Sequence, residues 1–216
     1  HLVDLHRALD HFAEMLLHAL GGDLAGQDLI VLGIKGQQTH VRHIPLVTTV
    51  TDLAPVHRTW FVSRVDVCVV PTPIVQNLAL NHGLASHQIH PLGIPGNPLF
   101  AAPRLSKAEL RARLGWQPDL LTVLAVGSRR VDRLVDALNV VNHFGAPLQV
   151  IAVAGKDAEL FAELRSMEWH VPAHIYEFAS NIPEMMLAAD CILCKAGGLI
   201  VTESLACGLP MLLIGV

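Results

Sequence analysis

Apolar positions in the first part of the chain predict one helix followed by short buried strands. Apolar residues recur at helical spacing from Leu2 to Leu20, and Gly21 ends that pattern. Three short apolar runs, two of them rich in β-branched residues, predict buried parallel strands at 29–34, 46–50 and 67–70. A second helix is predicted over 74–79, and Gly83 ends it.

From residue 105 onward, the pattern alternates between strands and helices. Ser106 and Glu109 form a capping box, and Gly115 ends the helix that they begin. Strands are then predicted at 121–126, 148–153, 174–178, 191–194 and 211–214. Helices are predicted between them at 131–142, 157–167, 182–189 (capped by Asn181 and Glu184) and 198–207. This alternation predicts the α/β class with doubly wound parallel sheets.

A Pro/Gly-rich, uncharged segment at 91–103 separates the two series. We therefore predict two Rossmann-like domains facing a cleft, at 1–95 and 96–216, both incomplete because the chain begins without Met and stops inside an apolar run. In open α/β sheets, ligands bind at the carboxyl ends of the strands.

Composition narrows the classes of function. The 216 residues are 52% apolar and 16% charged, which excludes a disordered chain. With 15 Lys and Arg against 19 Asp and Glu, the net charge is −4. The sequence contains no basic cluster of the kind that would predict a nucleic-acid partner. The uncharged stretch 67–103 is long enough to span a bilayer, but six prolines interrupt it, so no transmembrane helix is predicted.

Cysteine and histidine are not expected to form special sites. The four cysteines show no disulfide spacing, and we expect them to be reduced and buried. Cys191 and Cys194 lie three apart in one predicted strand, so they point to opposite faces and form neither a redox nor a zinc motif. The 13 histidines show no zinc-ligand spacing, and we interpret them as surface residues.

The most informative segment follows a predicted strand and opens a helix. It reads Lys195-Ala196-Gly197-Gly198-Leu199-Ile200. Two glycines let a ligand approach the backbone, and the free N–H groups of a helix start bind a diphosphate. Glu203, one turn further, has a carboxylate that could accept hydrogen bonds from ribose hydroxyls. A plain glycine turn with a surface glutamate fits the same residues.

This segment resembles the donor-nucleotide segment of GT-B glycosyltransferases. The resemblance is to the diacylglycerol glycosyltransferases, which include the monogalactosyldiacylglycerol synthases, with the pattern K-[AP]-G-G-[LI]-T-x-x-E and then G-[LV]-P. The matching positions are Lys195, Gly197, Gly198, Leu199, Glu203, Gly208, Leu209 and Pro210. Ile200 stands where the family usually has Thr, so a hydroxyl that could reach a phosphate is absent.

Other blocks resemble the same family in the same order. They are Thr51-Asp52 with His57 and Trp60, Asp66 with Pro71, Gly93-Ile94-Pro95 with Phe100, and Phe178 with Asn181, Met185, Met186 and Asp190. In that family, the backbone around the phenylalanine holds the nucleobase. Gly127 and Ser128 begin the loop after the first strand of the second domain, where family members carry further glycines and this chain has Arg129-Arg130.

The resemblance implies inverting transfer of a hexose from UDP-galactose or UDP-glucose to diacylglycerol, without metal or cofactor. It also implies that the domain 1–95 faces the acceptor and that the domain 96–216 binds the UDP-sugar. The protein would then be cytoplasmic and bound peripherally to a membrane surface. Asp52 and His57 are candidates for the base or its orienting group, although Asp52 could equally cap a turn and His57 could be a plain loop histidine. Trp60 could meet the lipid or acceptor, or pack in the core.

Three other functions remain open. Two are enzymes: a lipid-linked N-acetylglucosaminyltransferase of peptidoglycan synthesis and a UDP-N-acetylglucosamine 2-epimerase. The Thr51-Asp52, His57 and Trp60 block favours the glycerolipid branch. The third is a non-catalytic nucleotide-binding relative, which Ile200 and the short loop after Gly127 favour.

Overall fold

The computed structural model describes residues 45–53, 56–100, 105–127, 131 and 133–214. The chain divides into two compact units, of which the first ends at Pro95 and the second begins at Gly96. The predicted helix of 2–20 and the predicted strand of 29–34 lie outside the described residues.

The described part of the first unit contains a parallel sheet. Its strands are β1 (Val47–Thr49), β2 (Val67–Val69) and β3 (Ile89–His90), in that order. Helix α1 (Pro73–Asn81) connects β2 to β3. The Thr72 hydroxyl accepts a hydrogen bond from the backbone N–H of Val75 at 3.3 Å, which caps the helix start. Gly83 follows the helix with a φ of +93°, as the predicted stop requires.

The second unit has a five-stranded parallel sheet in the order β6-β5-β4-β7-β8. The strands are β4 (Leu121–Val126), β5 (Leu148–Val153), β6 (Ala173–Tyr176), β7 (Cys191–Cys194) and β8 (Met211–Leu213). The helices are α2 (Lys107–Leu114), α3 (Leu134–Asn142), α4 (Ala158–Ser166), α5 (Ile182–Ala188) and α6 (Gly198–Ala206). The predicted alternation is confirmed here, with ends that differ by up to three residues.

The helix ends show which local predictions hold. At α2, Ser106 and Glu109 form the predicted capping box, and Gly115 ends the helix with a φ of +71°. At α5, the predicted cap is wrong, because the Asn181 side chain makes no capping hydrogen bond. Its backbone has φ −108° and ψ 35°, away from the extended conformation in which an N-cap side chain reaches the first turn.

Apolar clusters cover both faces of the five-stranded sheet. Cys194 packs in one cluster, whereas Cys191 packs against the other, as their spacing predicts. Met185 and Met186, each about 1% exposed, belong to the Cys194 cluster. All four cysteines are free; Cys68 and Cys194 are buried, but Cys191 and Cys207 are only partly so.

Asp190 joins α2 to the start of β7. Its carboxylate accepts hydrogen bonds from Arg111 Nη2 at 2.6 Å, Lys107 Nζ at 2.8 Å and the Thr122 N–H at 2.8 Å. Burial raises the pKa of Asp190, but these donors outweigh burial and hold the pKa below its usual range. Arg111 also donates to three backbone carbonyls, of Ala188, Pro118 and Leu120. The pair therefore fixes the strand that leads to the glycine-rich turn.

Candidate functional site

The strand order of the second unit reverses between β4 and β7. From β4, the chain proceeds to β5 and β6 on one side, and to β7 and β8 on the other. Such a switch point leaves a crevice at the carboxyl ends of the two central strands, where open α/β sheets bind ligands. Gly127 follows β4, and the segment Lys195–Gly198 follows β7. The predicted segment therefore lies at the position where the topology favours a ligand.

The segment forms a tight turn into α6. The Gly197 N–H donates to the Lys195 carbonyl at 2.8 Å, which closes the turn around Ala196. The Gly197 carbonyl accepts from the Val201 N–H at 3.1 Å and begins the helix. The N-cap residue Gly197 has no side chain to cap this end, and within the described ranges no side chain accepts a hydrogen bond from the N–H groups of the first turn, from Gly198 onward.

Neither the backbone conformation nor the packing at position 197 requires a glycine. Its φ of −98° is one that any residue adopts. A Cβ built on it would lie 3.7 Å from Ile200 Cγ2, which is ordinary van der Waals contact. Close approach of a ligand to the backbone remains as a physical reason for this glycine, which favours a binding site over a plain turn.

Gly127, by contrast, is already explained by packing. A Cβ there would lie 2.6 Å from side-chain methyls of both Leu134 and Leu160. Its N–H donates to the Val153 carbonyl at 2.8 Å. Ser128 lies outside the described residues, so its predicted role in binding stays a prediction.

Glu203 lies on the second turn of α6 and is partly buried. Among the described residues, the structure records no hydrogen bond or ion pair for its carboxylate. Burial raises the pKa of Glu203 above its ordinary value. Burial, together with the nearby Glu203 charge, raises the pKa of Cys207 to about 11, so that thiol stays protonated. A partly buried carboxylate without protein partners can accept hydrogen bonds from ligand hydroxyls.

Ile200, on the first turn of α6, is turned toward the protein. It is partly buried and packs against the apolar cluster that contains Cys194 and Leu209. The position therefore supplies packing rather than a polar group.

Phe178 and Lys156 form a pair that the sequence does not reveal. Phe178 follows β6 and is 53% exposed. Lys156 follows β5, and its ammonium lies 4.4 Å from the centroid of the Phe178 ring. One signal in the sequence is Gly155, which marks a turn at the end of β5, but it does not say which ring the next side chain would reach.

In the first unit, the candidate residues lie between β1 and β2. Asp52 and His57 are both exposed, and no hydrogen bond between them is recorded in the described ranges. His57 Nδ1 lies 3.0 Å from the Thr59 hydroxyl and 3.4 Å from the Thr59 N–H, and so caps the 3-10 turn Arg58–Trp60. This contact gives His57 a structural role. No capping hydrogen bond of Asp52 is recorded within the described ranges, and residues 54 and 55, which such a cap would reach, lie outside them, so the capping role of Asp52 stays a prediction. Trp60 is 37% exposed rather than packed in the core.

The described residues show neither a metal-binding cluster nor a membrane-spanning helix. Within them, no three His, Cys, Asp or Glu side chains are grouped so that they could hold a metal ion. No helix among them is both long and apolar enough to cross a bilayer.

Two family models match the chain. Residues 27–95 match "Monogalactosyldiacylglycerol (MGDG) synthase", and residues 121–215 match "Glycosyltransferase family 28 C-terminal domain". The chain is 35% identical over 182 residues to a probable chloroplastic monogalactosyldiacylglycerol synthase of Nicotiana tabacum, covering 80% of this chain and 34% of that protein. It is 35% identical over 195 residues to monogalactosyldiacylglycerol synthase 1 of Arabidopsis thaliana, with 87% and 36% covered.

The resemblance to the monogalactosyldiacylglycerol synthases is confirmed. The chain spans about a third of the length of these curated relatives. The glycosyltransferase match begins at the first residue of β4 and includes the second unit's candidate residues, from Gly127 to Glu203.

Solved structures confirm the predicted GT-B fold class. Anabaena HepE in complex with UDP and glucose has a TM-score of 0.53 at 16% identity, covering 78% of this chain and 52% of that one. Acinetobacter baumannii MurG has a TM-score of 0.50 at 18% identity, with 80% and 46% covered. At these identities, the likeness concerns the fold alone.

Proposed function

We propose that the protein is an inverting hexosyltransferase that moves galactose or glucose from a UDP-sugar to diacylglycerol. One observation carries the proposal: the start of α6 lies at the switch point of a parallel sheet, one turn before the carboxylate of Glu203, and neither has a side-chain partner among the described residues. The similarity to monogalactosyldiacylglycerol synthases supplies the class of product.

The donor site is assigned to the second unit. The N–H groups of Gly198 and Leu199 would bind the diphosphate, helped by the positive end of the helix dipole. The Glu203 carboxylate would accept hydrogen bonds from the two ribose hydroxyls. The backbone at Phe178 would receive the nucleobase, and Lys195 adds a cation at the turn.

The reaction is a single displacement. An oxygen of the diacylglycerol hydroxyl attacks C1 of the hexose, the bond from C1 to the diphosphate oxygen breaks, and UDP leaves with that electron pair. A base removes the hydroxyl proton, and the α6 start stabilises the charge that develops on the leaving group. Asp52 is the stronger candidate for the base in this chain, because Nδ1 of His57 is engaged with Thr59.

Peripheral membrane binding would bring the enzyme to its acceptor. Trp60 is exposed and has exposed basic neighbours, Arg58 and Arg64, on the same loop. An amphipathic ring beside cations suits the interface of an anionic bilayer. Action in the cytoplasm stays a prediction, and the names of the plant relatives place those proteins in the chloroplast.

The test uses the full-length protein with diacylglycerol in liposomes and, separately, UDP-galactose and UDP-glucose. We expect hexosyl-diacylglycerol by mass spectrometry from one donor, and co-sedimentation with anionic liposomes at low salt. The matched control replaces diacylglycerol with a lipid that has no free hydroxyl. If UDP binds but no glycolipid forms with either donor, the acceptor assignment is wrong.

A second candidate is a nucleotide-binding relative without transferase activity. Ile200 favours it, because the position packs into the core and offers no hydroxyl to a phosphate. UDP binding without hydrolysis or transfer of either UDP-sugar would support this candidate.

A further inference from the structure

The carboxyl end of β5 contains an unusual backbone for a lysine. Gly155 has a φ of +67° and Lys156 a φ of +70°, and the Asp157 N–H donates to the Ala154 carbonyl at 3.3 Å. Two consecutive positive φ values inside such a hydrogen bond define a type I′ turn. Glycine and asparagine adopt this conformation readily, whereas other residues, lysine included, adopt it at a cost. The turn itself therefore gives no reason for lysine at 156.

The backbone of Lys156 extends the pairing of β5 with β6. The Ala154 N–H donates to the Tyr176 carbonyl at 2.8 Å, and the Lys156 N–H donates to the Glu177 carbonyl at 2.9 Å. The turn thus continues the ladder for two residues beyond the strands. It brings the start of the Lys156 side chain beside the segment that carries Phe178.

The side chain then provides the contact that the backbone conformation makes possible. Its ammonium lies 4.4 Å from the Phe178 ring centroid, within the range of a cation–π interaction. Among the described residues, the Lys156 ammonium is the group recorded in contact with the Phe178 ring, and about half of the Phe178 side chain is exposed. Upstream, Tyr176 is anchored by a hydrogen bond from Trp116 Nε1 at 3.4 Å. Lys156 therefore restrains the exposed end of a segment whose other end is fixed.

We propose that Lys156 is a positioning residue for the nucleobase: through the Phe178 ring, it holds the backbone of 176–178 in the conformation that receives the base. This inference rests on the proposed function, because it assumes a uridine nucleotide at this edge of the sheet. Lys156 acts through Phe178 and contacts neither the phosphates nor the reacting atoms.

The experiment measures the binding of UDP and of uridine to the full-length protein by NMR titration. Lys156→Asn removes the cation but suits the left-handed turn, so folding is preserved. Lys156→Arg retains a cation that stacks on aromatic rings. The matched control is Arg165→Gln, which removes an exposed positive charge from α4.

We expect Lys156→Asn to lower the affinities for UDP and for uridine by the same factor, about two- to five-fold, which is the contribution of an exposed cation–π contact. Lys156→Arg should restore both affinities, and Arg165→Gln should change neither. In turnover, the KM for the UDP-sugar should rise while kcat stays constant. A merely structural role would lower the melting temperature without this split.

Three results would overturn the inference. Equal binding by Lys156→Asn and the unchanged protein would show that the pair does not position the base. Loss of UDP affinity with uridine binding intact would place Lys156 at the phosphates instead. If the unchanged protein binds neither ligand, the proposed function fails together with this inference, whereas the first two results leave the proposed function standing.

Discussion

The candidate residues of the two units are held in different ways. In the second unit, the candidate residues outside α6 lie within three residues of the ends of β4, β5, β6 and β7, and pairing with the neighbouring strands fixes where each of these strands ends. In the first unit, the exposed side chains of Asp52, His57 and Trp60 lie on the connection between β1 and β2, whose apolar residues Val56 and Phe61 pack in the core. The second set is positioned by the ends of paired strands, whereas His57 of the first set is held by its own turn.

The difference shows in what the side chains do. Glu203 is partly buried and has no partner in the described part of the chain, and its role in binding a ligand stays a prediction. His57, although it matches a family motif, uses Nδ1 to cap its own turn. A glycine-rich motif after a strand therefore predicts a local turn and a helix start, as at Gly197, whereas the roles of both sets of residues stay predictions.

The variant with the largest expected effect lies in the first unit. Asp52→Asn should lower kcat about 10²- to 10⁴-fold, the contribution of a general base, while the KM for the UDP-sugar stays constant. His57→Asn should have a much smaller effect, because we assign it to the turn. Steady-state kinetics with the full-length protein measures both, and Asp119→Asn, an exposed aspartate of the second unit, is the control. Full activity of Asp52→Asn would exclude Asp52 as the base, and full activity of both variants would exclude His57 as well.

Glu203→Gln tests the second-unit site. We expect kcat/KM for the UDP-sugar to fall about 100-fold, because two charge-assisted hydrogen bonds to ribose would be weakened. Glu163→Gln, an exposed glutamate of α4, is the matched control. An unchanged kcat/KM would exclude a role for the Glu203 carboxylate in binding the UDP-sugar.

The same variant should become more stable at neutral pH. Burial raises the folded-state pKa of Glu203, so its charge destabilises the fold at pH values above the pKa of the unfolded chain. The gain from glutamine should shrink as the pH falls toward the ordinary range of glutamate. Thermal unfolding at several pH values measures this, and a loss of stability at pH 7 would contradict it.

Asp190→Asn tests the scaffold behind the site. Two cations and the Thr122 N–H would lose their charged acceptor, and the free energy of unfolding should fall by about 1–3 kcal/mol. Because the folded-state pKa of Asp190 is lowered, its stabilisation is present above the unfolded pKa and is lost as the pH falls through the folded pKa. Denaturant unfolding should therefore show the two proteins converging in acid. Equal stability at pH 7 would mean that the network contributes nothing.

Ile200→Thr should have the smallest effect of the four and should improve the donor site. Although Ile200 packs against the core, its Cγ2 faces the glycine turn, 3.7 Å from a Cβ built on Gly197. A threonine hydroxyl in the place of that branch could donate to a phosphate, so the KM for the UDP-sugar should fall about three- to ten-fold. Ile200→Val keeps the branched shape without the hydroxyl and is the control. Equal KM values for the two variants would exclude a role for a hydroxyl at this position.

Local rules in the sequence predicted much of the second unit. The capping box of Ser106 and Glu109 and the left-handed Gly115 depend on residues within one turn, so the pattern alone determines them. The cap at Asn181 failed because its backbone leaves the extended conformation. Contacts over long separations were not predictable: Asp190 meets residues about 70 to 80 positions away, and no local pattern specifies such a partner.

The sequence by itself determined the parallel α/β class, the boundary region around residue 95, and the glycine-rich turn that opens α6. These follow from periodicity and from turn chemistry, which act over a few residues. Only the tertiary structure decided that this turn lies at a switch point, that the Lys156 ammonium lies over the Phe178 ring, and that Glu203 is partly buried with no partner among the residues that the structure describes. Each of these depends on the order of strands in the sheet, which the free energy of the whole packed unit selects.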